Sequence, residues 1–475
     1  MSFVNAVQKS KNKEVARTAN GMKAYATSAS PVLDLFGIIG SARGTDITKQ
    51  FTASFVEDAD LTLRMLQWAR DIREGAGERA TFRNLLSALE STDPTLAGKL
   101  MHKIPALGRW DDLFAYKNSI NRNQAFALIA EALEAKNGLA AKWMPRKGPV
   151  AVELTRYLGL SPKAYRKLIV GLTNVVETQM CAKEWEAINF SHVPSVASAR
   201  YQKAFGRNAK ESYSAYIAEL KKPVAERADP KVKINASAVY PYDVVKSVIK
   251  GNAAVADEQW KALPNYIGDA KVLPMVDVSG SMGSLWYTHG DLQPIDIAVS
   301  LGLYCADKNT GVFKDLFLTF SGKPKMEHLK GTLSQKMTQM SKANWEMNTN
   351  LHAAFDEILK IAVNGNVAQE DMPDMLLILS DMQFDACTRY DNSAMQMIKR
   401  KYKDAGYNVP KIVFWNLSSY GKENGNTPVK FDKNGTAHVS GFSPSIMKHV
   451  LADDLEEFTP YNVMVNTLMN DRYAY

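Results

Sequence analysis

Five oxygen-bearing side chains in the second half of the chain sit where an open sheet would gather them. The apolar run Val272-Leu-Pro-Met-Val276 ends in Asp277, Ser279 and Ser281, and alternation puts these three on one side as a strand gives way to a loop. A second apolar run, Met375-Leu-Leu-Ile-Leu379, ends in Ser380-Asp381, a further carboxylate at the same edge. Between the two runs, Thr349 can offer a hydroxyl from the loop before a helix that starts near Leu351. Carboxylates and hydroxyls together make the hard-oxygen set that Mg²⁺ accepts, with water completing the coordination. Ca²⁺ and Mn²⁺ remain open, and so does a metal-free arrangement of turns and helix caps. His289, His328 and His352 have no ligand spacing and no nucleophile–base pattern accompanies the site, so binding is expected here rather than catalysis.

A different chemistry is concentrated between residues 142 and 210. The cations there include Lys142, Arg146, Lys147, Arg156, Lys163, Arg166, Lys167, Arg200 and Lys203, with His192 among them. Lys163, Arg166 and Lys167 share one helix face by their i, i+3, i+4 spacing. Trp143, Tyr157, Tyr165, Trp185, Phe190, Tyr201 and Phe205 are interleaved. Cations bind phosphates and exposed rings stack on unpaired bases, the pattern of an RNA-binding surface. Each ring taken singly reads better as core between helices.

The elements needed to hold these groups follow from periodicity. From residue 31 to about 220 the apolar spacing is helical, as at Leu61, Met65, Leu66 and Ala69, with Pro and Gly at the joints. Short helices with short connections predict antiparallel pairs, stacked in a HEAT-like repeat body. Glu226–Lys233 is a charged, Pro-containing connector. From Lys271, buried strands are predicted at Val272–Val278, Leu316–Phe320, Met375–Ser380 and Lys411–Asn416, alternating with helices at Ile295–Asp307, Leu351–Val363 and Ala394–Ala405. That alternation predicts a doubly wound, mostly parallel, Rossmann-like sheet. The expected class is a multidomain α + α/β protein. It comprises a flexible arm over 1–30, an all-α body over 31–265 and the α/β domain over 268–475.

Charge divides in the same way. The net +8 of the 475 residues separates into 37 Lys and Arg against 24 Asp and Glu up to residue 250, and 21 against 26 beyond it. A basic front and an acidic rear suggest two functional bodies, of which the basic one suits a polyanion or is a solvated surface with no partner. No apolar run long enough to span a membrane is present, no signal-peptide pattern opens the chain, and three scattered cysteines (Cys181, Cys305, Cys387) fit a reducing, cytoplasmic setting.

The Asp277, Ser279, Ser281 set with Thr349 and Asp381 resembles the metal-ion-dependent adhesion site of von Willebrand factor A domains, although Asn348 stands where glycine is usual. The helical part resembles the Ro autoantigen (TROVE) family at Ala69-Arg-Asp-Ile-Arg-Glu-Gly75, Gly108-Arg-Trp-Asp-Asp-Leu113, Lys142-Trp-Met-Pro145 and Trp185–Pro194. The resemblance implies a ribonucleoprotein component that binds small non-coding or misfolded RNA on the helical body, with His192 as a contact. A protein-interaction scaffold, using the cation to take an acidic partner residue without RNA, is the competing expectation.

Overall fold

The structure is a computed structural model describing residues 15–18, 21–43, 45–236, 238–251, 253–283, 292–320, 323–343, 350–384, 394–418, 427–430, 432–452 and 457–475. The chain forms two compact units. One comprises residues 1–62, 240–253 and 263–471; the other comprises 63–239, 254–262 and 472–475.

The first unit is α/β. A short antiparallel pair, β1 (Val15–Arg17) and β2 (Lys23–Tyr25), lies near the N-terminus. The main sheet contains β3 (Val272–Asp277), β4 (Leu316–Phe320), β5 (Met326–His328), β6 (Met375–Ser380), β7 (Lys411–Asn416) and β8 (Thr436–Ser440). Their order is β5-β4-β3-β6-β7-β8, with only β5 antiparallel to its neighbour. β3 and β6 are buried along their whole length, which is why they read as continuous apolar runs rather than alternating ones. One face packs Met275, Phe320, Ile378 and Phe414 against Phe355 and Ile358 of the Leu351–Asn364 helix and Tyr402 of the Ala394–Asp404 helix. On the Pro294–Lys308 helix every residue from Ile295 to Ala306 is buried, so it carries no polar face. Its Gly302 permits the approach to β3, since a Cβ there would lie 2.4 Å from Val276 Cγ2.

The expected strands occur as predicted, while β5 and β8 were not anticipated, being short or polar by sequence. The compact units do not follow the expected division at residue 265. Described residues of the 1–30 segment form the hairpin, with Tyr25 bridged to Thr427 and the Thr18 hydroxyl donating to Phe384 O at 2.5 Å. Helix Pro31–Ile39, assigned by sequence to the helical body, belongs to the α/β unit and buries Leu33, Leu35, Phe36 and Ile39 completely. Its last turn is satisfied by strand ends. Asn416 Nδ2 donates to Gly37 O at 2.8 Å, Ser440 Oγ donates to Phe36 O at 2.6 Å, and Gly40 N donates to Ser440 Oγ at 3.0 Å. The first two bonds meet carbonyls that a helix C-terminus leaves open.

The second unit is all-helical among its described residues. Two of the quoted motifs turn out to be ties within it. Arg70, 1% exposed, pairs with the fully buried Asp112 at 2.6 Å, and Arg83 holds the other oxygen of Asp112 at 2.7 Å. Asp71 binds Arg472 and accepts from the Tyr473 hydroxyl at 3.1 Å, while Gln67 Nε2 donates to Tyr473 O at 2.6 Å. Residues 472–475 therefore complete the helical unit. No helix among the described residues is long and apolar enough to cross a membrane.

Candidate functional site

The oxygen-rich site lies at the carboxyl ends of the adjacent parallel strands β3 and β6, the edge where open α/β sheets place ligands. Asp277 is fully buried as the last residue of β3. Ser279 N donates to its Oδ1 at 2.9 Å, turning the chain so that Ser279 Oγ comes within 3.0 Å of Ser281 Oγ. Register places Val276 beside Leu379, so the next residues along, Asp277 and Ser380, are brought side by side. Ser380 Oγ donates to Asp277 Oδ2 at 2.5 Å and accepts from Met382 N at 3.1 Å. Asp381 follows, 6% exposed, with Gln383 N donating to its Oδ1 at 3.1 Å. Met382 has φ 67°, a left-handed conformation that a non-glycine residue adopts at a cost and that is common beside functional sites.

Among the described residues, burial and a neighbouring negative charge dominate the electrostatics at Asp277. Burial pushes the Asp277 carboxyl well above the ordinary carboxylate range and the nearby Asp381 pushes it further, with hydrogen bonds from Ser380 and Ser279 opposing them. A divalent cation fits this donor set: it would offset both the burial and the mutual repulsion, and two hydroxyls supply neutral hard oxygens. Asp277, Ser279, Ser281 and Asp381 are thus brought together, whereas Thr349 lies outside the described residues. Ser380, whose hydroxyl holds Asp277, was not singled out from sequence; its position beside a strand-end carboxylate is the signal that could have found it. Among the described residues no cluster of three or more His, Cys, Asp or Glu forms, so the set depends on its hydroxyls.

The helical unit brings the cations together selectively. Arg146, Lys147, Arg156, Lys163 and Arg166 line a cleft of about 990 Å³ between helices Pro149–Tyr157 and Pro162–Leu172. Gly148, with φ 89°, makes the turn into the first helix, and Ser161 caps the second by accepting from Ala164 N at 3.2 Å. None of these five cations forms an ion pair among the described residues. By contrast Arg70, Arg83, Arg109 and Arg122 are each paired with a carboxylate. Glu153, the only acidic residue between 142 and 172, faces away and binds Arg122 at 2.7 Å.

Other predicted contacts are placed elsewhere. Lys142 does not line the cleft: it lies 3.7 Å from Glu177 and 5.6 Å from the Trp143 ring centre. Trp143 is covered by the Arg109 guanidinium at 3.4 Å. Lys167, Arg200 and Lys203 are exposed outside the cleft. His192 is exposed as well, its segment held by Asn235 Nδ2 donating to Ser191 O and Val193 O at 3.0 and 2.9 Å. Three of the seven rings, Tyr165, Phe190 and Phe205, are core, Trp143, Trp185 and Tyr201 are half-buried, and Tyr157 is exposed. Phe190 packs on Phe205, Tyr213 and Tyr216 with centroids 5.0–5.4 Å apart, and Tyr165 is buried. Arg156, one of the cations of the sequence cluster, is a cleft residue.

Comparisons with known proteins divide the chain at the start of β3. Residues 271–470 match a family described as a domain of unknown function, DUF7788, and residues 18–105 and 127–271 match another, DUF2828. The chain is 29% identical over 514 residues to uncharacterized protein L728 of Acanthamoeba polyphaga mimivirus, covering 95% of this chain and 86% of that protein. Among solved structures it is similar to the Ro (RSR) protein of Deinococcus radiodurans, at 14% identity and a TM-score of 0.39, covering 93% of this chain and 92% of that one.

Proposed function

We propose that this chain is a non-enzymatic RNA-binding protein. Its helical unit, read as a HEAT-like body of the TROVE type, holds the RNA. Its α/β unit, read as a von Willebrand A-type domain, holds a divalent cation, Mg²⁺ first, and takes a carboxylate from a protein partner. The observation that carries the RNA reading is the convergence of Arg146, Lys147, Arg156, Lys163 and Arg166 on one cleft without a carboxylate among them. Like charges held together repel, and a polyanion relieves that repulsion while releasing its own counterions.

The test is fluorescence anisotropy of the full chain with a labelled single-stranded RNA across a salt series. With all five cations engaged, log K should fall against log salt with a slope of about −3.5. Lys163→Glu/Arg166→Glu should weaken binding by about tenfold or more and flatten the slope, whereas Lys210→Glu, outside the cleft, should leave both unchanged. Absence of binding at low salt, or indifference to the double reversal, overturns the reading. For the α/β unit, the support is the gathering of buried Asp277 with Asp381, Ser279 and Ser281 at one strand edge. Isothermal titration with Mg²⁺ and Mn²⁺ should give saturable binding that Asp277→Asn abolishes. If the scaffold reading is the right one, cation binding will persist while RNA binding is absent.

A further inference from the structure

The side chains that line the cleft offer no free hydrogen-bond acceptor. No Asp, Glu, Asn, Gln, Ser or His lines it among the described residues. Its two side-chain hydroxyls are buried and committed inside the protein: Thr155 Oγ1 donates to Ala151 O at 2.6 Å and Tyr165 OH donates to Pro145 O at 2.9 Å. Among the side chains, what remains is five purely donating cations and apolar surface, including Val152 at 58% and Val170 at 51% exposure.

This composition limits what can be read. Arg and Lys carry donors and no acceptors. The amino groups of adenine, cytosine and guanine are donors, as is the ribose 2′-hydroxyl, and reading any of them needs an acceptor on the protein. Base stacking needs an exposed ring, and Tyr165, the one aromatic residue in the lining, is buried. Phosphate oxygens are acceptors only and match the cations without remainder.

We infer that the cleft recognises a flexible chain of phosphates without regard to sugar or base, so that single-stranded DNA and inorganic polyphosphate occupy it as RNA does. The inference rests on the reading of the cleft as the RNA site and narrows it to phosphate recognition. The exposed valines serve as sugar- or base-contacting apolar surface when the chain is a nucleic acid, and confer no selectivity.

The experiment uses the full chain with fluorescein-labelled 12-residue oligouridylate, oligothymidylate and a mixed-sequence, guanine-containing RNA, with long-chain inorganic polyphosphate as competitor. The three affinities should agree within about threefold at one salt concentration, polyphosphate should displace each of them, and Lys163→Glu/Arg166→Glu should weaken all equally. Circular dichroism of the variant establishes that it is folded. If RNA binds more than about tenfold tighter than DNA, or resists polyphosphate, the inference fails while the RNA reading stands. A preference of that size for the guanine-containing strand also overturns it, because guanine O6 and N7 are the base acceptors that Arg can read. If none of the ligands binds, both readings fall together.

Discussion

Asp277 meets two opposing demands. It is buried at the strand end, accepting from Ser380 and Ser279, and it would have to be ionised beside Asp381 to hold the proposed cation. Its folded-state pKa is raised above the unfolded value, so its favourable contribution is complete at low pH and is lost as pH rises through the raised value. With a chelator present, thermal stability of the α/β unit should therefore fall between about pH 4 and about pH 7. Saturating Mg²⁺ should remove that fall; a flat profile in chelator would show that the carboxyl is not held neutral. A cation at a hundred times its dissociation constant adds about 2.7 kcal/mol of stability, and Asp277→Asn should respond to none of it in a melting experiment. In the helical unit, Asp112→Ala leaves Arg70 buried without its partner, and chemical denaturation should register a loss of about 3–5 kcal/mol.

At the scale of elements, the helix Pro31–Ile39 illustrates how much context a segment can need. Its apolar content and the Ser30 cap before Pro31 make it a helix by local rules, with Leu33 N donating to Ser30 Oγ at 3.3 Å. Nothing local says which body it joins. That is decided by Ser440 and Asn416, some 400 residues away, whose side chains meet its last turn. Phe36→Ala should accordingly destabilise the α/β unit by about 3–5 kcal/mol, with hydrogen exchange protection falling along β7 and β8. Protection lost only within residues 63–239 instead would place the helix in the other unit. The strands β3, β4, β6 and β7 were legible because their burial on both faces is met by near-continuous apolar runs. β8, Thr436-Ala-His-Val-Ser440, was not, since its polar residues are buried by meeting groups that the sequence does not place beside it.

For the whole molecule, sequence families and compact units divide the chain differently. The families meet at Lys271, whereas the α/β unit also takes in residues 1–62 and 240–253 and the helical unit reclaims residues 472–475. The chain passes repeatedly from one unit to the other, so deletion at residue 271 cuts both. If each ligand acts on its own unit, calorimetry should show Mg²⁺ raising the unfolding transition of the α/β unit and single-stranded RNA raising that of the helical unit. Equal displacement of all transitions by either ligand would mean that the units unfold as one cooperative body.

The sequence by itself determined the chemistry at each site and the strands and helices that carry it: Asp277, Ser279, Ser281 and Asp381 at strand ends, and a cation-rich helical stretch with one carboxylate. Periodicity and strand-end position are local properties, readable within a dozen residues. Only the tertiary structure decided which groups meet. It set Ser380 on Asp277, admitted Arg156 to the cleft, turned Lys142 toward Glu177 and gave the first helix to the α/β unit. Those outcomes depend on pairings between residues far apart in the chain, and a residue's spacing from its neighbours carries no record of them.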